Sequence, residues 1–342
     1  MIHVTIFGAG LIGCYLGGLL AHGGCALTFI GREKQENRLM AHGLNLTHYD
    51  REEIWVPAGK FKFQTEAKNL NQTDIILLCV KSQDTGAAAK TIRDQVSSNP
   101  LIISCQNGVQ NPEILKSTLP QALILGAVVP YNITSCNNIS GKNVFHCGTE
   151  GGLIVQTHQD PRLGELIAAF ARAGESVDTV TDIKAVQWGK LLVNLNNGLN
   201  ALWGGPLRAG LMQRPYRLAL ALMIEEAQTL LGQVGIEARH IGKADMKTML
   251  KIMRLPNFLF GPIMNRILKI DQTARSSMLE DLEAGKPSEI EFLQGEVTRL
   301  AKQIGQTAPI NTVISDRVKA AFKRGQSPKM SGEEIWDIIA KL

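Results

Sequence analysis

Residues 2–13 read IHVTIFGAGLIG, and this stretch decides the fold. Its first six residues are rich in β-branched and aromatic side chains, the composition of a short strand. Residues 10–21 continue with helix-like composition, so Gly8, Gly10 and Gly13 fall at a strand-turn-helix junction. Each glycine has a mechanical use there: Gly8 permits a tight turn, Gly10 lets the backbone approach a pyrophosphate, and Gly13 allows the helix to pack closely on the sheet. The helix start offers unpaired N–H groups and positive dipole character to phosphates. The reading is a dinucleotide site built by Gly8, Ala9, Gly10, Leu11, Ile12 and Gly13; the plainer alternative is a glycine turn that serves packing alone. The stretch is apolar enough to be mistaken for a signal peptide, but it lacks a basic leading region.

The next strand, CALTFI at 25–30, runs into FIGREKQ. A site for NAD usually has Asp or Glu here for the ribose 2′-hydroxyl, whereas one for NADP has an arginine nearby for the 2′-phosphate. Gly31 stands in the approximate place of the acid and Arg32 follows it. Arg32, aided by Lys34, is therefore expected to pair with a 2′-phosphate, and the expected cofactor is NADPH/NADP+. Glu33 keeps open a displaced acid, and a solvated charge cluster is the bland reading.

Further apolar runs at 74–80, 101–105 and 123–129 alternate with plausible helices at 84–95 and 111–118, the pattern of a mostly parallel sheet covered on both faces. Ligands of such sheets bind beyond the carboxyl ends of the strands. CVKSQD (79–84) and CQNG (105–108) lie at two such ends, placing Lys81 and Asn107 within reach of a bound nicotinamide or its substrate. A solvated loop lysine and a simple turn are the alternatives. Residues 144–156 read as a strand pair or a strand with a turn, and 163–173 as a helix. Beyond about 180 the pattern is helical, with candidates at 183–201, 215–233, 243–253, 274–284, 289–304 and 310–324. The expected architecture is an α/β chain with a Rossmann-like domain over 1–180 and an all-helical domain over 181–342.

The formal charge of +5 is small for 342 residues and its basic residues form no long block, so neither nucleic acid nor membrane is an expected partner. The six cysteines (Cys14, Cys25, Cys79, Cys105, Cys136 and Cys147) show no CxxC pair and no histidine-rich ligand spacing. No metal is expected, free thiols are, and a cytoplasmic location follows as the default.

Residues 188–203, WGKLLVNLNNGLNALW, place a lysine and several asparagines in an apolar run. Burying such groups unsatisfied costs several kcal/mol, so this helix is expected to line a polar cavity. Taken with GAGLIG, CVKSQD, CQNG and SSMLEDLEAGKPSEIEFLQG (276–295), the chain resembles the ketopantoate reductase (2-dehydropantoate 2-reductase) family over nearly its full length. The resemblance implies NADPH-dependent reduction of the 2-keto group of ketopantoate to (R)-pantoate, in a cleft between a Rossmann domain and a helical domain. It implies a catalytic role for Lys190, a substrate-holding role for Glu289, a substrate contact for Ser277, and strand-end roles for Lys81 and Asn107.

Chemistry fits those roles. An ammonium at Lys190 can stabilise the oxyanion formed by hydride addition and then donate the proton. Glu289 can accept a hydrogen bond from a substrate hydroxyl, and Ser277 and Asn107 can orient polar groups. Asn194 lies one turn beyond Lys190 on the same face. The family commonly has a second asparagine four residues further on, where this chain has Gly198. On a straight helix position 198 is about 80° from Lys190 and Asn197 about 20°, so Asn197 is expected to supply part of the polar wall while Gly198 leaves space for substrate or a bend; solvent-facing or capping asparagines are the alternative. The expected substrate is a small anionic 2-keto acid, and a homodimer is left open. A reductase of another branched or hydroxylated 2-oxo acid, and a non-catalytic NADPH sensor, are the competing functions.

Overall fold

The computed structural model describes residues 1–68, 70–137, 143–239, 245–267 and 273–342. The chain divides into two compact units, Met1–Ile183 and Lys184–Leu342. The first contains β1 (His3–Phe7), α1 (Leu11–His22), β2 (Ala26–Ile30), α2 (Glu33–His42), β3 (Leu44–His48), β4 (Ile54–Val56), β5 (Lys62–Gln64), β6 (Ile75–Leu78), α3 (Thr85–Gln95), β7 (Leu101–Ser104), α4 (Asn111–Thr118), β8 (Ile124–Val128), β9 (Ile133–Asn137), β10 (Asn143–Cys147), β11 (Leu153–Gln156), α5 (Pro161–Arg172) and β12 (Val177–Val180).

An eight-stranded sheet runs β12, β11, β8, β7, β6, β1, β2, β5, and a four-stranded sheet runs β4, β3, β10, β9. In the large sheet only the β8–β11 pair is antiparallel. The chain builds outward from β1 through β2 to β5, then returns to β6 on the other side, so the order reverses between β1 and β6. The strand register brings Phe7, Ile30, Leu78 and Ser104 level with one another. Gly8, Gly31, Cys79 and Cys105 are consequently the first residues past a common carboxyl edge, at the reversal where such sheets bind ligands.

The near-continuous apolar runs of β6 and β7 follow from burial on both faces. Val4, Ile6, Phe29, Leu77 and Ile103 face one core, while Ile76, Leu78 and Ile102 face another with Ala89 and Leu115. Helix α1 is apolar all round because it lies between the two sheets. A Cβ on Gly17 would sit 2.5 Å from the Phe29 ring of the large sheet, and one on Gly18 would sit 2.8 Å from Leu46 of the small one. Residues 144–156 do not form a strand pair: β10 joins β3 and β9, whereas β11 joins β8 and β12. Their alternating pattern is compatible with either sheet, and the partners lie far along the chain.

The second unit contains α6 (Ile183–Asn194), α7 (Asn196–Trp203), α8 (Leu207–Leu211), α9 (Arg214–Gln233), α10 (Met246–Arg254), α11 (Asn257–Ile267), α12 (Ser277–Glu283), α13 (Gln294–Gln303), α14 (Pro309–Arg324) and α15 (Gly332–Ile339). The helix expected over 183–201 is interrupted at Leu195. Helix α9 packs against α10, α13, α14 and α15. Among the described residues no helix is long and apolar enough to cross a membrane.

Arg217 on α9 is fully buried and holds this unit together. Its guanidinium donates to the carbonyls of Met253 (3.0 Å), Leu211 (2.7 Å) and Leu255 (2.7 Å) and to Asn257 Oδ1 (3.0 Å), and lies 3.8 Å from the centroid of the Phe260 ring. Burial, with a smaller contribution from Arg214, lowers its pKa to about 10, so it stays charged at neutral pH against the negative ends of α8 and α10. Arg217→Met keeps the bulk but leaves these carbonyls without their donor, at about 1–3 kcal/mol per buried unsatisfied group. The expected result in urea unfolding is a loss of about 3 kcal/mol or more; a loss below about 1 kcal/mol would mean that water replaces the guanidinium.

Candidate active site

At the carboxyl edge of the large sheet, the amides of Gly8 and Ala9 both donate to the Ile30 carbonyl at 3.0 Å. Gly8 has φ 112°, and a Cβ there would lie 2.7 Å from Val80 N and 2.8 Å from the Cys79 carbonyl carbon. Gly13 is pressed on the turn from the other side, with a Cβ position 2.1 Å from Gly8 O and 2.9 Å from Ile6 Cγ2. Gly10 differs: it is exposed, its backbone is extended, and a Cβ would meet nothing within 4 Å. No protein contact requires glycine at that position. Open space in front of the first turn of α1, where Leu11 and Ile12 begin the helix and no acidic side chain intervenes, is what a pyrophosphate needs. The cradle fits a dinucleotide.

The end of β2 bears on which dinucleotide fits. A Cβ on Gly31 would lie 2.8 Å from Ala9 Cβ and 2.9 Å from Phe63 Cζ, so a carboxylate side chain has no room at that position. Arg32 follows it, exposed, and Glu33 begins α2, where an acidic side chain has the separate role of offsetting the helix dipole.

The two strand-end loops carrying Lys81 and Asn107 are joined by a buried polar network. Gln106 Nε2 donates to Val80 O (3.0 Å) and Thr85 Oγ1 (2.7 Å); Thr85 Oγ1 donates to Asn111 Oδ1 (2.8 Å); Asn111 Nδ2 and Ser82 Oγ donate to Asn107 O at 2.6 and 2.8 Å. Ser82, Thr85, Gln106 and Asn111 are all buried, whereas Lys81 and Asn107 remain partly accessible. The sequence reading missed the four supporting residues because their partners lie on the other loop, 21 to 29 positions away. Beneath the turn, burial pushes the Cys14 thiol up to about 12 despite the hydrogen bond from Gln35. A hydrogen bond with Cys105, together with burial, holds the Cys79 thiol well above its ordinary range. Both stay protonated at neutral pH and make poor nucleophiles.

In the second unit, Lys190 and Asn194 are half-buried on the last turns of α6, among the buried residues 185–189, Leu191 and Leu192. Asn197 is half-buried on α7, and its carbonyl accepts from Ser276 Oγ at 3.4 Å. Asn200 does not face solvent: fully buried, it accepts from Ser276 N (3.0 Å) and donates to Gly205 O (2.9 Å). Ser276 in turn caps α12 through Leu279 N. Ser277, the first residue of that helix, is exposed, and Glu289 is buried at the start of a single 3₁₀ turn over Ile290–Phe292. Gly198 leaves no open space, contrary to the expectation. A Cβ there would lie 2.5 Å from Gln294 Nε2 and 3.0 Å from Gln294 Cδ, and the interruption of the helix falls three residues earlier.

The profile of the family described as ketopantoate reductase PanE/ApbA matches residues 4–159, and that of its C-terminal part matches residues 182–322. The chain belongs to the ketopantoate reductase family. It is 27% identical over 342 residues to the 2-dehydropantoate 2-reductase of Pyrococcus horikoshii, covering 95% of this chain and 99% of that one. With the enzyme of the same name from Archaeoglobus fulgidus it shares 26% over 324 residues, 92% of this chain and 96% of that one. The crystal structure of a PanE/ApbA family ketopantoate reductase from Ralstonia eutropha superposes with a TM-score of 0.76 at 25% identity, covering 95% of this chain and 99% of that one. The Rossmann-like domain followed by a helical domain is the ketopantoate reductase architecture, and the family comprises NAD(P)H-dependent oxidoreductases of 2-oxo acids.

Proposed function

We propose that this protein reduces 2-dehydropantoate to (R)-pantoate with NADPH. The observation that carries the reading is Lys190, half-buried one turn before the half-buried Asn194 on a helix that encloses residues 185–189, Leu191 and Leu192. Bound in the glycine cradle, the nicotinamide cofactor supplies the hydride. Lys190 stabilises the negative charge developing on the keto oxygen and donates the proton that completes the alcohol. Glu289 accepts a hydrogen bond from the terminal hydroxyl of the substrate, and Asn194, Asn197, Ser277 and Asn107 hold its remaining polar groups. Lys81, on the loop braced by Gln106 and Ser82, sits on the cofactor side. We place the activity in the cytoplasm, a setting that suits the free cysteines.

The preference for NADPH rests on Arg32 and on the crowding at Gly31. Arg32→Ala removes a charge-assisted partner of the 2′-phosphate and is expected to weaken NADPH binding about 10-fold or more, with NADH binding nearly unchanged. Titrating both nucleotides checks this, and equal losses would remove the phosphate assignment. A second substrate reading is kept by position 198, where the polar wall differs from the usual family pattern; reduction of another branched or hydroxylated 2-oxo acid fits the same lysine. Consumption of NADPH with a panel of 2-oxo acids tests the proposal. Turnover of ketopantoate well above the others supports it, and preference for another acid replaces it with the second reading.

A further inference from the structure

We propose that Gln294 is a positioning residue for Lys190, delivering from α13 the carboxamide that position 198 of α7 does not carry. Gln294 is fully buried at the first position of α13, and its side chain occupies the volume a side chain at 198 would need. Nε2 donates to the Leu195 carbonyl at 2.7 Å, at the interruption between α6 and α7 and one residue beyond Asn194. Oε1 is sealed from solvent and has no hydrogen-bond partner among the described residues. Leucine would fill a similar volume and relieve the unpaired oxygen while taking away the donor to the Leu195 carbonyl, two effects of similar size and opposite sign, so stability gives glutamine little net advantage here. Gln294 follows Glu289 by five residues, so one carboxamide ties the segment bearing Lys190 and Asn194 to the segment bearing Glu289. Its effect on turnover rests on the reading of Lys190 as proton donor; its sharing of space with position 198 does not.

The test combines four variants of the full chain: Gln294→Leu, Gln294→Glu, Gly198→Asn and the double variant Gly198→Asn/Gln294→Ala. Gln294→Leu is expected to keep Tm within about 2 °C of wild type while kcat for the 2-oxo acid falls about 10-fold through misaimed groups, with NADPH affinity unchanged. Gln294→Glu can donate to Leu195 O only when protonated, so its kcat relative to wild type should fall as pH rises, a response a volume-filling role would not give. Should the leucine variant fail to fold, this profile carries the kinetic test. Gly198→Asn alone should lower Tm, and the double variant should recover most of that loss. Wild-type kcat in Gln294→Leu together with a flat relative pH profile in Gln294→Glu overturns the positioning role, and additive Tm losses overturn the shared slot. If the wild type reduces no 2-oxo acid, the reading of Lys190 and the positioning role built on it fall together, and the Tm cycle still decides the slot.

Discussion

Lys190→Ala should lose about 100-fold or more in kcat for reduction of the 2-oxo acid, within the ~10²–10⁴ that a positioned proton donor contributes, while NADPH affinity stays close to wild type. The reasoning begins with burial. The helix encloses residues 185–189, Leu191 and Leu192, whereas Lys190 and Asn194 are only half-buried and Val193 is exposed, so Lys190 lies at the edge of the packed face. On the proposed mechanism, removing it takes away both the charge that stabilises the oxyanion and the proton that finishes the alcohol. Lys190→Arg separates the two: it keeps the charge, but a guanidinium holds its proton too tightly to be a good acid, and it is expected to recover little. Steady-state kcat for both variants, with a nucleotide titration as control, decides the matter. Full activity in Lys190→Ala would take the residue out of the mechanism, and strong rescue by arginine would reduce its role to electrostatics.

Gly13→Ala should abolish tight NADPH binding, by about 100-fold or more, and destabilise the fold by about 1–3 kcal/mol, the usual cost of forcing extra volume into a packed core. The added methyl would lie 2.1 Å from Gly8 O and 2.9 Å from Ile6 Cγ2. Neither the turn nor β1 can yield cheaply, because the Gly8 and Ala9 amides are tied to Ile30 O and Ile6 is fully buried. The helix start must move away from the phosphates it is built to meet. Gly10→Ala is the informative companion. Its methyl meets no protein atom within 4 Å, so Tm should be unchanged, and NADPH affinity should still fall because the methyl occupies ligand space. Thermal melts and fluorescence titrations of the two variants separate packing from cofactor approach. Wild-type NADPH affinity in Gly10→Ala would refute the pyrophosphate assignment.

The turn-and-strand framework was legible in the residues themselves. β-branched runs, glycine spacing and helical periodicity are local properties, and they located β1, α1, β2, β6, β7 and β8 to within a few residues. The same local logic singled out Lys190, because a lysine in an apolar helix is conspicuous wherever the helix packs. The small sheet was missed for a reason of the same kind: its strands are three to five residues long, and β3 and β10 pair across about a hundred intervening positions. A straight-helix projection also gave Gly198 open space, which Gln294 fills from a helix far along the chain.

The amino-acid order by itself determined a glycine-bearing strand-turn-helix, a parallel sheet and a helical second half, because each depends on backbone preferences and on side-chain periods of two or 3.6 residues. Tertiary structure alone decided that Gly31 is crowded by Ala9 and Phe63, that Gln106 braces Lys81's loop, and that the gap at Gly198 belongs to Gln294, whose amide reaches Leu195 from 99 positions away. Those outcomes depend on which volumes and hydrogen-bonding groups meet in space, and no window of neighbouring residues contains both partners.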